Sequence, residues 1–325
     1  MDRKAPLYSF VVTIYNDAYL AEAFCVEFRT VFETYLSGRS IKEAVELIFV
    51  NDGSADDSWI TLRRMASEFD FVKVIDLSKN FGQHTAILCG YHHATGSYVG
   101  RLNVDMQDPP SEIPKLLDCI QKEDVDMVVG IQRVRRSKWL DIVTARIFFW
   151  LFNALTGSSI PQSTATLRVM NRRIADAFQR VNDKFPFIQG LETWFGFKIK
   201  YLETEHVERA DGKSSYTAWK RLKLAIDASI SFSDRPLKMI VSVGFVISFF
   251  GFLGFILIVL RTLINPNMLP GYSSTISVLL FLAGVQILVI GLSGLYIGKI
   301  LTQVQDRPTY LIREKINFAE PDDRS

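Results

Sequence analysis

The sequence predicts an α/β domain built on a mostly parallel sheet, followed by two membrane-spanning helices. Three observations predict it. Short apolar runs alternate with stretches of helical spacing over residues 7–131. Polar, acid-rich motifs recur where those apolar runs end. Two long uncharged apolar runs occupy the last third of the chain. Strands alternating with helices make a mostly parallel sheet covered on both faces, and such sheets bind ligands at the carboxyl ends of their strands.

Taken in order, residues 7–16, "LYSFVVTIYN", form a buried strand, and 18–36 carry helical spacing. Residues 45–50, "VELIFV", are a second strand that ends at "NDGSADDS". A helix over 59–69 and a strand over 72–77, "VKVIDL", follow. Then come "SKNFGQHTA", a helix over 84–94 and a strand over 97–104 that enters "NVDMQDPP". "DMVVGI" (126–131) is a further strand. The motifs "YND", "NDGSADDS" and "NVDMQD" all fall at carboxyl ends of strands, and that shared location is worth more than any one of them.

From Arg133 the pattern changes. "IFFWLFNAL" (147–155) is too short to span a bilayer and follows the basic residues Arg133, Arg135, Arg136, Lys138 and Arg146. It suits a core helix and an interfacial helix equally. "YTAWKRLKLAIDASISF" (216–232) is a basic, aromatic stretch suited to an anionic membrane surface. The run Met239 to Leu260 has no charged residue, and at 1.5 Å per residue it crosses a hydrocarbon core of roughly 30 Å. Ile276 to Gly298 is a second such run, with Gln286 its most polar member. The expected organisation is a catalytic domain over 1–215, a juxtamembrane amphipathic helix over 216–236, two transmembrane helices with a short external loop over 237–300, and a cytoplasmic tail over 301–325. Lys220, Arg221, Lys223, Arg235 and Lys238 precede the first run, and Lys299, Arg307, Arg313 and Lys315 follow the second. The intervening loop has only Arg261, so both termini are expected in the cytoplasm, in a multi-pass protein of the cytoplasmic (inner) membrane. Glycines in both runs allow close helix packing and self-association into a homo-oligomer.

The net charge of +2 supplies no field for nucleic acid, which is excluded as a partner. Cys25, Cys89 and Cys119 have no metal-site spacing and read as ordinary thiols of a reducing compartment. "MDRKAPLYSF" has no apolar core, so no signal peptide is expected.

Two motifs carry the chemistry. In "VNDGSADDS", Asp52 ends a strand and Gly53 permits a tight turn; Asp52 suits either a donor-accepting contact to a nucleoside or a local turn, while Asp56 and Asp57 suit an N-cap. In "RLNVDMQDPP", Asn103, Asp105 and Gln107 would share one side of an extended strand. Mg²⁺ or Mn²⁺ takes such oxygens, keeping waters and substrate phosphates as its other ligands. The alternative is a polar strand end at which Asp108 and the prolines start the next helix. The spacing alone leaves the two level.

"SFVVTIYND", "VNDGSADDS", "LSKNFGQHTAILCGYHHATGSYV", "NVDMQDPPSEIP" and "ERADGKSSYT" resemble, in content and order, the family 2 glycosyltransferases, and more narrowly the polyprenyl-phosphate glycosyltransferases. The resemblance runs from about residue 8 to 315 and includes the paired spans and "LYIGKILTQVQDRPTYLIRE". It implies a GT-A fold, a nucleotide-sugar donor (a UDP-sugar above others), a divalent Mg²⁺ or Mn²⁺, a polyprenyl-phosphate acceptor such as undecaprenyl phosphate, and a product for cell-envelope glycan modification. Thr13, Tyr15, Asp52 and Asn80 look like donor-binding positions, and Asp105 and Gln107 look like metal ligands. Asn103 stands where the family usually has Asp, which suggests a ribose or sugar contact instead. Asn51 and Thr166 likewise replace common acids, whereas Arg168 is retained. "ERADGKSSY" resembles a mobile phosphate-binding loop in which Arg209, Lys213, Ser214 and Ser215 would face phosphate oxygens, Ser215 replacing a common Lys.

The implied reaction moves the sugar to a lipid phosphate with inversion. A phosphate monoester has a second pKa near ~6 and is already a nucleophile at pH 7, so a strong general base is not required. Leaving-group charge is met by the metal edge and Arg209. Arg133, Arg136 and Arg168 would hold the acceptor, and Glu192 suits either a base or an ordinary helix carboxylate. A processive polysaccharide synthase is disfavoured for want of a Q-x-x-R-W motif. A catalytically inactive membrane scaffold of the same fold remains the alternative, and spans without internal ionisable residues argue against a flippase.

Overall fold

The computed structural model describes residues 6–132, 164–207 and 271–318, with residues 241, 242, 244–247, 249–251, 253, 256 and 260. The chain divides into two compact units: 1–149 with 158–218 and 308–325, and 150–157 with 219–307. The tail after residue 307 therefore belongs with the sheet domain and is not a separate segment.

The first unit is built on an eight-stranded sheet: β1 (Tyr8–Ile14), β2 (Val45–Asn51), β3 (Val72–Leu77), β4 (Tyr98–Asn103), β5 (Met127–Gln132), β6 (Thr164–Asn171), β7 (Ile199–Thr204) and β8 (Ile312–Ile316). Their order is β7-β5-β6-β4-β1-β2-β3-β8. β1 to β4 are mutually parallel, as is the pair β5 and β7. β6 runs antiparallel to β4 and β5, and β8 runs antiparallel to β3. The sheet is thus mixed, with a parallel centre. The chain leaves β1 toward β2 on one side and later returns to β4 on the other, so a switch point opens beside the carboxyl end of β1.

Alternation along β1 decides which helix covers which face. Phe10 meets Phe28 and Phe32 of the helix Ala21–Tyr35, and Phe24 of the same helix meets Phe49 of β2. The Phe24, Phe28, Phe32 spacing of four builds one aromatic stripe, and all three are fully buried. Val11 points to the other face, where the helix Gln83–His93 lies so close that a Cβ at Gly90 would stand 2.2 Å from a Val11 methyl.

The expected elements of the amino-terminal half are present within one to three residues of their expected ends. Three features differ. The strand expected over 97–104 stops at Asn103, because the chain turns and Met106 takes a φ of 55°. The period-two argument for Asp105 and Gln107 therefore does not hold, and a turn places both. Asp108 does not start a helix: Pro110–Glu112 form a short 3₁₀ turn before the helix Ile113–Lys122, while Asp108 binds elsewhere. Asp57 sits at the N-cap of the helix Ser58–Glu68 without a capping bond, and Asp56 instead accepts from the Ser58 N–H at 3.1 Å. β6, β7, β8 and the helices Arg172–Gln179 and Ile188–Trp194 have no counterpart in the sequence-based expectation.

In the second unit, Tyr272–Val304 is a 33-residue helix. Leu282–Val304 is, among the described residues, the one stretch long and apolar enough to cross a membrane. No part of that stretch is buried inside the protein. The first expected span lies mostly outside the described residues; those of 241–260 that are described are helical and include the exposed Val241, Phe245, Phe249 and Phe250. The stretches 147–155 and 216–236 and the residues Arg133, Arg136, Arg209, Lys213, Ser214 and Ser215 also lie outside them.

Candidate active site

The carboxyl ends of β1, β2 and β4 lie side by side. Thr13 pairs with Val50 on one side and Asn103 on the other, Ile14 pairs with Asn51, and the Asp52 N–H donates to the Ile14 carbonyl at 2.9 Å. The parallel register, set by apolar runs of similar length, thus gathers three of the sequence-predicted residues on one rim.

The loops beyond those ends are cross-braced. Asn16 adopts a φ of 57°; its N–H donates to Ser54 Oγ at 3.0 Å, and its Oδ1 accepts from the Ala55 N–H at 2.9 Å. Tyr15 is left half exposed beside this brace. Asp52 is buried, and its two carboxylate oxygens accept from the Phe81 N–H at 2.7 Å and the Gly82 N–H at 3.0 Å. Burial pushes the Asp52 carboxyl up, against the pull of those two bonds. Gly53 has a φ of 62°, and a Cβ there would stand 2.2 Å from the Lys79 carbonyl carbon and 2.4 Å from the Asn80 nitrogen. The close approach brings the exposed Asn80 to the same rim. Asp52 is therefore engaged by the backbone of its neighbouring loop, and shapes the rim from below.

On the other flank, Asp105 and Gln107 are half buried in the turn after β4, and the Gln107 N–H reaches Asp105 Oδ1 at 3.4 Å. Asp108 beneath them is buried and accepts from the Thr166 N–H at 2.7 Å, the Leu167 N–H at 3.2 Å and the His206 ring at 3.0 Å. The Val207 N–H donates to the Gln107 carbonyl at 2.9 Å. The chain therefore enters the "ERADGKSSY" segment while tied to the turn that carries Asp105 and Gln107. Asn103 donates to Thr166 Oγ1 at 3.2 Å, so the two residues that stand in place of acids satisfy one another.

One carboxylate and one amide oxygen suit a hard divalent cation that draws its other ligands from water and donor phosphates. Among the described residues no group of three or more His, Cys, Asp or Glu could hold a metal alone. The donor set fits a Mg²⁺ or Mn²⁺ held jointly with the donor.

Two predicted residues lie one rung deeper. Arg168 pairs with Arg101 across β6 and β4, two residues behind Thr166 on one strand and two behind Asn103 on the other. It is 2% exposed, ion-paired with the buried Glu192, and donates to the Thr166 carbonyl at 3.1 Å and the Ala165 carbonyl at 2.9 Å. In this arrangement neither Arg168 nor Glu192 faces solvent, so Arg168 does not stand open to hold an acceptor as expected from sequence. Arg101 is also buried, and its guanidinium is pushed down to about 10 by burial and by Arg168. His84, at the start of the helix Gln83–His93, is held neutral, its pKa lowered to about 3 by burial and by both guanidiniums.

Arg101, His84 and His206 were not singled out from sequence, and Arg313 was read only as a basic flank of the second apolar run. A charged residue inside an apolar run marked Arg101 ("YVGRLN"), but nothing local marks a site role for the others, whose hydrogen-bond partners Ile188, Asp108 and Asp76 lie 104, 98 and 237 residues away.

The Glycosyl transferase family 2 model matches residues 9–178. An uncharacterized glycosyltransferase of Bacillus subtilis, YkcC, is 34% identical over 312 residues, covering 94% of this chain and 93% of that one. A prophage-derived bactoprenol glucosyl transferase of Shigella flexneri is 32% identical over 308 residues, covering 94% and 97%. The mannosyltransferase PcManGT of Pyrobaculum calidifontis, solved in complex with GDP-Man and Mn²⁺, is 18% identical, with a TM-score of 0.48 over 70% of this chain and 64% of that one. The chain belongs to glycosyltransferase family 2, and its mixed sheet is GT-A-like.

Proposed function

We propose that the protein transfers a sugar from a nucleotide diphosphate, a UDP-sugar in the simplest case, to a polyprenyl phosphate at the cytoplasmic face of the membrane. The observation that carries the reading is the rim itself. Thr13, Tyr15, Asp52 and Asn80 converge on one flank, and Asp105 with Gln107 stand on the other. The full-length similarity to a bactoprenol glucosyl transferase supports the lipid acceptor. The unburied apolar helix Leu282–Val304 supports a membrane anchor, with the run 239–260 as its partner span.

A divalent cation on Asp105 and Gln107 would neutralise charge on the departing diphosphate. The remaining roles belong to the chain. The braced loops at 14–17, 51–55 and 78–82 fix the nucleoside, so the diphosphate lies toward Asp105. Asn103 and Thr166 offer an amide and a hydroxyl to the sugar. An acceptor phosphate oxygen forms the new bond to the anomeric carbon from the face opposite the leaving group; the bond to the diphosphate breaks with its electron pair, and no proton need move. Arg209, Lys213, Ser214 and Ser215 receive diphosphate oxygens, and Arg133 and Arg136 draw in the acceptor. Arg168 acts indirectly, through Glu192 and the strand that bears Thr166.

The test is incubation with undecaprenyl phosphate, Mn²⁺ and a panel of UDP-, GDP- and dTDP-sugars, with mass analysis of the lipid fraction. A glycosylated lipid phosphate from one donor is expected. No product from any donor would overturn the reading and leave a non-catalytic membrane scaffold.

A further inference from the structure

The tail that follows the apolar helix pairs with the sheet edge on the donor side. β8 lies antiparallel on β3, with Ile75 opposite Lys315 and Asp76 opposite Glu314. From there a continuous chain of hydrogen bonds reaches the donor rim. Arg313 donates from Nη1 to Asp76 Oδ2 at 3.1 Å and from Nη2 to the Ser78 carbonyl at 2.8 Å. Asp76 is fully buried, and its other oxygen accepts from Asn51 Nδ2 at 2.7 Å. Asn51 Oδ1 accepts from Ser54 Oγ at 2.6 Å, and Ser54 Oγ accepts from the Asn16 N–H at 3.0 Å. The Ser78 N–H donates to the Leu311 carbonyl at 2.9 Å, which fixes the start of the loop that carries Asn80.

Every donor-site residue assigned above on β1 to β3 lies within a few positions of this relay. Tyr15 precedes Asn16, Asp52 follows Asn51, and Asn80 is two residues beyond Ser78. The tail thus holds both loops that flank the proposed nucleoside site, although no described tail residue sits on the rim. We propose that Arg313 is a positioning residue for donor binding, acting through Asp76 and Asn51 on the loop 51–55 and through Ser78 on the loop 78–82. The proposal rests on the donor-site reading above. Planar, two-pronged donation is what the role needs, because one guanidinium serves a carboxylate and a carbonyl together.

The same strand supplies its own control. Asn317, just past the other end of β8, donates to the Ala66 carbonyl at 2.8 Å and the Val72 carbonyl at 2.9 Å. Those bonds dock the tail but do not lead to the rim. Arg313→Ala, Arg313→Lys and Asn317→Ala would be compared in the full-length protein in detergent. Three quantities are measured: melting temperature, affinity for UDP, GDP and dTDP, and donor KM and kcat for whichever sugar is transferred. Arg313→Ala is expected to raise donor KM and nucleotide Kd together by about three- to tenfold, with kcat little changed, the guanidinium being largely exposed. Arg313→Lys, able to serve one acceptor at a time, restores part of the loss. Asn317→Ala lowers the melting temperature and leaves KM alone. Equal KM changes in Arg313→Ala and Asn317→Ala would reduce Arg313 to a docking residue and overturn the proposal. An unchanged KM and Kd in Arg313→Ala would overturn it as well. Failure of the unaltered protein to bind any nucleotide is the separate outcome that removes the donor-site reading and the proposal with it; binding without transfer removes only the reaction.

Discussion

Glu46 and Glu192 are both buried carboxylates of the sheet domain, and their surroundings differ. Glu46 accepts from Ser9 Oγ at 2.5 Å, the Thr95 N–H at 2.7 Å, Thr95 Oγ1 at 2.9 Å and Lys73 Nζ at 2.5 Å. Glu192 is paired with Arg168 through one oxygen; its Oε1, like Arg101 Nε and Nη1, Tyr91 Oη and Gln189 Oε1, has no hydrogen-bond partner among the described residues. On the β1–β3 side the Glu46 cluster and the proposed donor loops are largely closed networks, with Ser58 Oγ the buried exception beside them. The β4–β6 side carries two buried guanidiniums, Arg168 paired with Glu192 and Arg101 with no direct ion pair among the described residues, two residues behind Asn103 and Thr166, with buried Asp108 acting on Arg101 at longer range. Buried polarity left unmatched is costly, and in native proteins it concentrates at sites with work to do. The contrast therefore separates the proposed nucleoside cradle, which is preformed, from the proposed sugar-side floor, which is less complete.

The contrast breaks most visibly if Glu192 is removed. Glu192→Ala leaves Arg168 buried without its ion-pair partner, which costs about 3–5 kcal/mol. A fall in melting temperature of several degrees is expected. The double variant Arg168→Met/Glu192→Leu should recover most of it, because an apolar pair of similar volume replaces the buried ions. A single variant as stable as the unaltered protein would show that the floor is already compensated.

Asp105 tests the rim. Asp105→Ala is expected to lower transfer about 10²- to 10³-fold with little change in melting temperature, the scale for loss of a group that stabilises leaving-group charge. Raising Mn²⁺ should not restore the rate. If it does, Gln107 and the donor phosphates are sufficient.

Gly53 tests how closed the cradle is. Gly53→Ala adds both a positive-φ strain of about 1–3 kcal/mol and a Cβ inside the Lys79–Asn80 backbone. The loop carrying Asn80 must move, so donor KM should rise and stability fall together. A change in stability alone would place Asn80 outside the donor contact.

Much of the cradle was legible in sequence because it is local. β1 to β4 announce themselves as apolar runs, and "YND", "NDGSADD" and "NVDMQD" follow them directly. For the proposed metal ligands, alternation put Asp105 and Gln107 on one side of a strand and left metal edge and strand end level; a turn at Met106 places them instead. The floor was not legible. Arg168 was expected to hold the acceptor and Glu192 to be a base or an ordinary helix carboxylate; their pairing with one another needs β6 and the helix Ile188–Trp194, elements whose sequences carry no clear period. Arg313 was read as a topogenic charge after the second apolar run, since its partner Asp76 lies 237 residues earlier. Asp108, expected to start a helix, is instead used by Thr166, Leu167 and His206, again at long range.

The smallest effect reads the floor's charge through pH. His84 lies beside Arg101 and Arg168, and with burial they hold its pKa near 3 against an unfolded value of 6.5. Between those values the unfolded chain binds a proton that the folded protein refuses. Stability from this group is complete above pH 6.5 and is lost as pH falls, by about 1.4 kcal/mol per pH unit. His92 and His93 are also lowered by burial and add to the same slope. Asp52 and Asp76, raised by burial, act in the opposite sense, because the folded state takes up their protons more readily than the unfolded chain. The difference between the unaltered protein and His84→Gln isolates the one contribution. Gln can still accept from the Ile188 N–H, as the imidazole does at 3.5 Å. The melting temperature of His84→Gln should decline less steeply between pH 6.5 and 5 and match the unaltered slope above pH 7.5. Parallel profiles would mean that His84 is free to charge, and that the two guanidiniums beside it are already balanced.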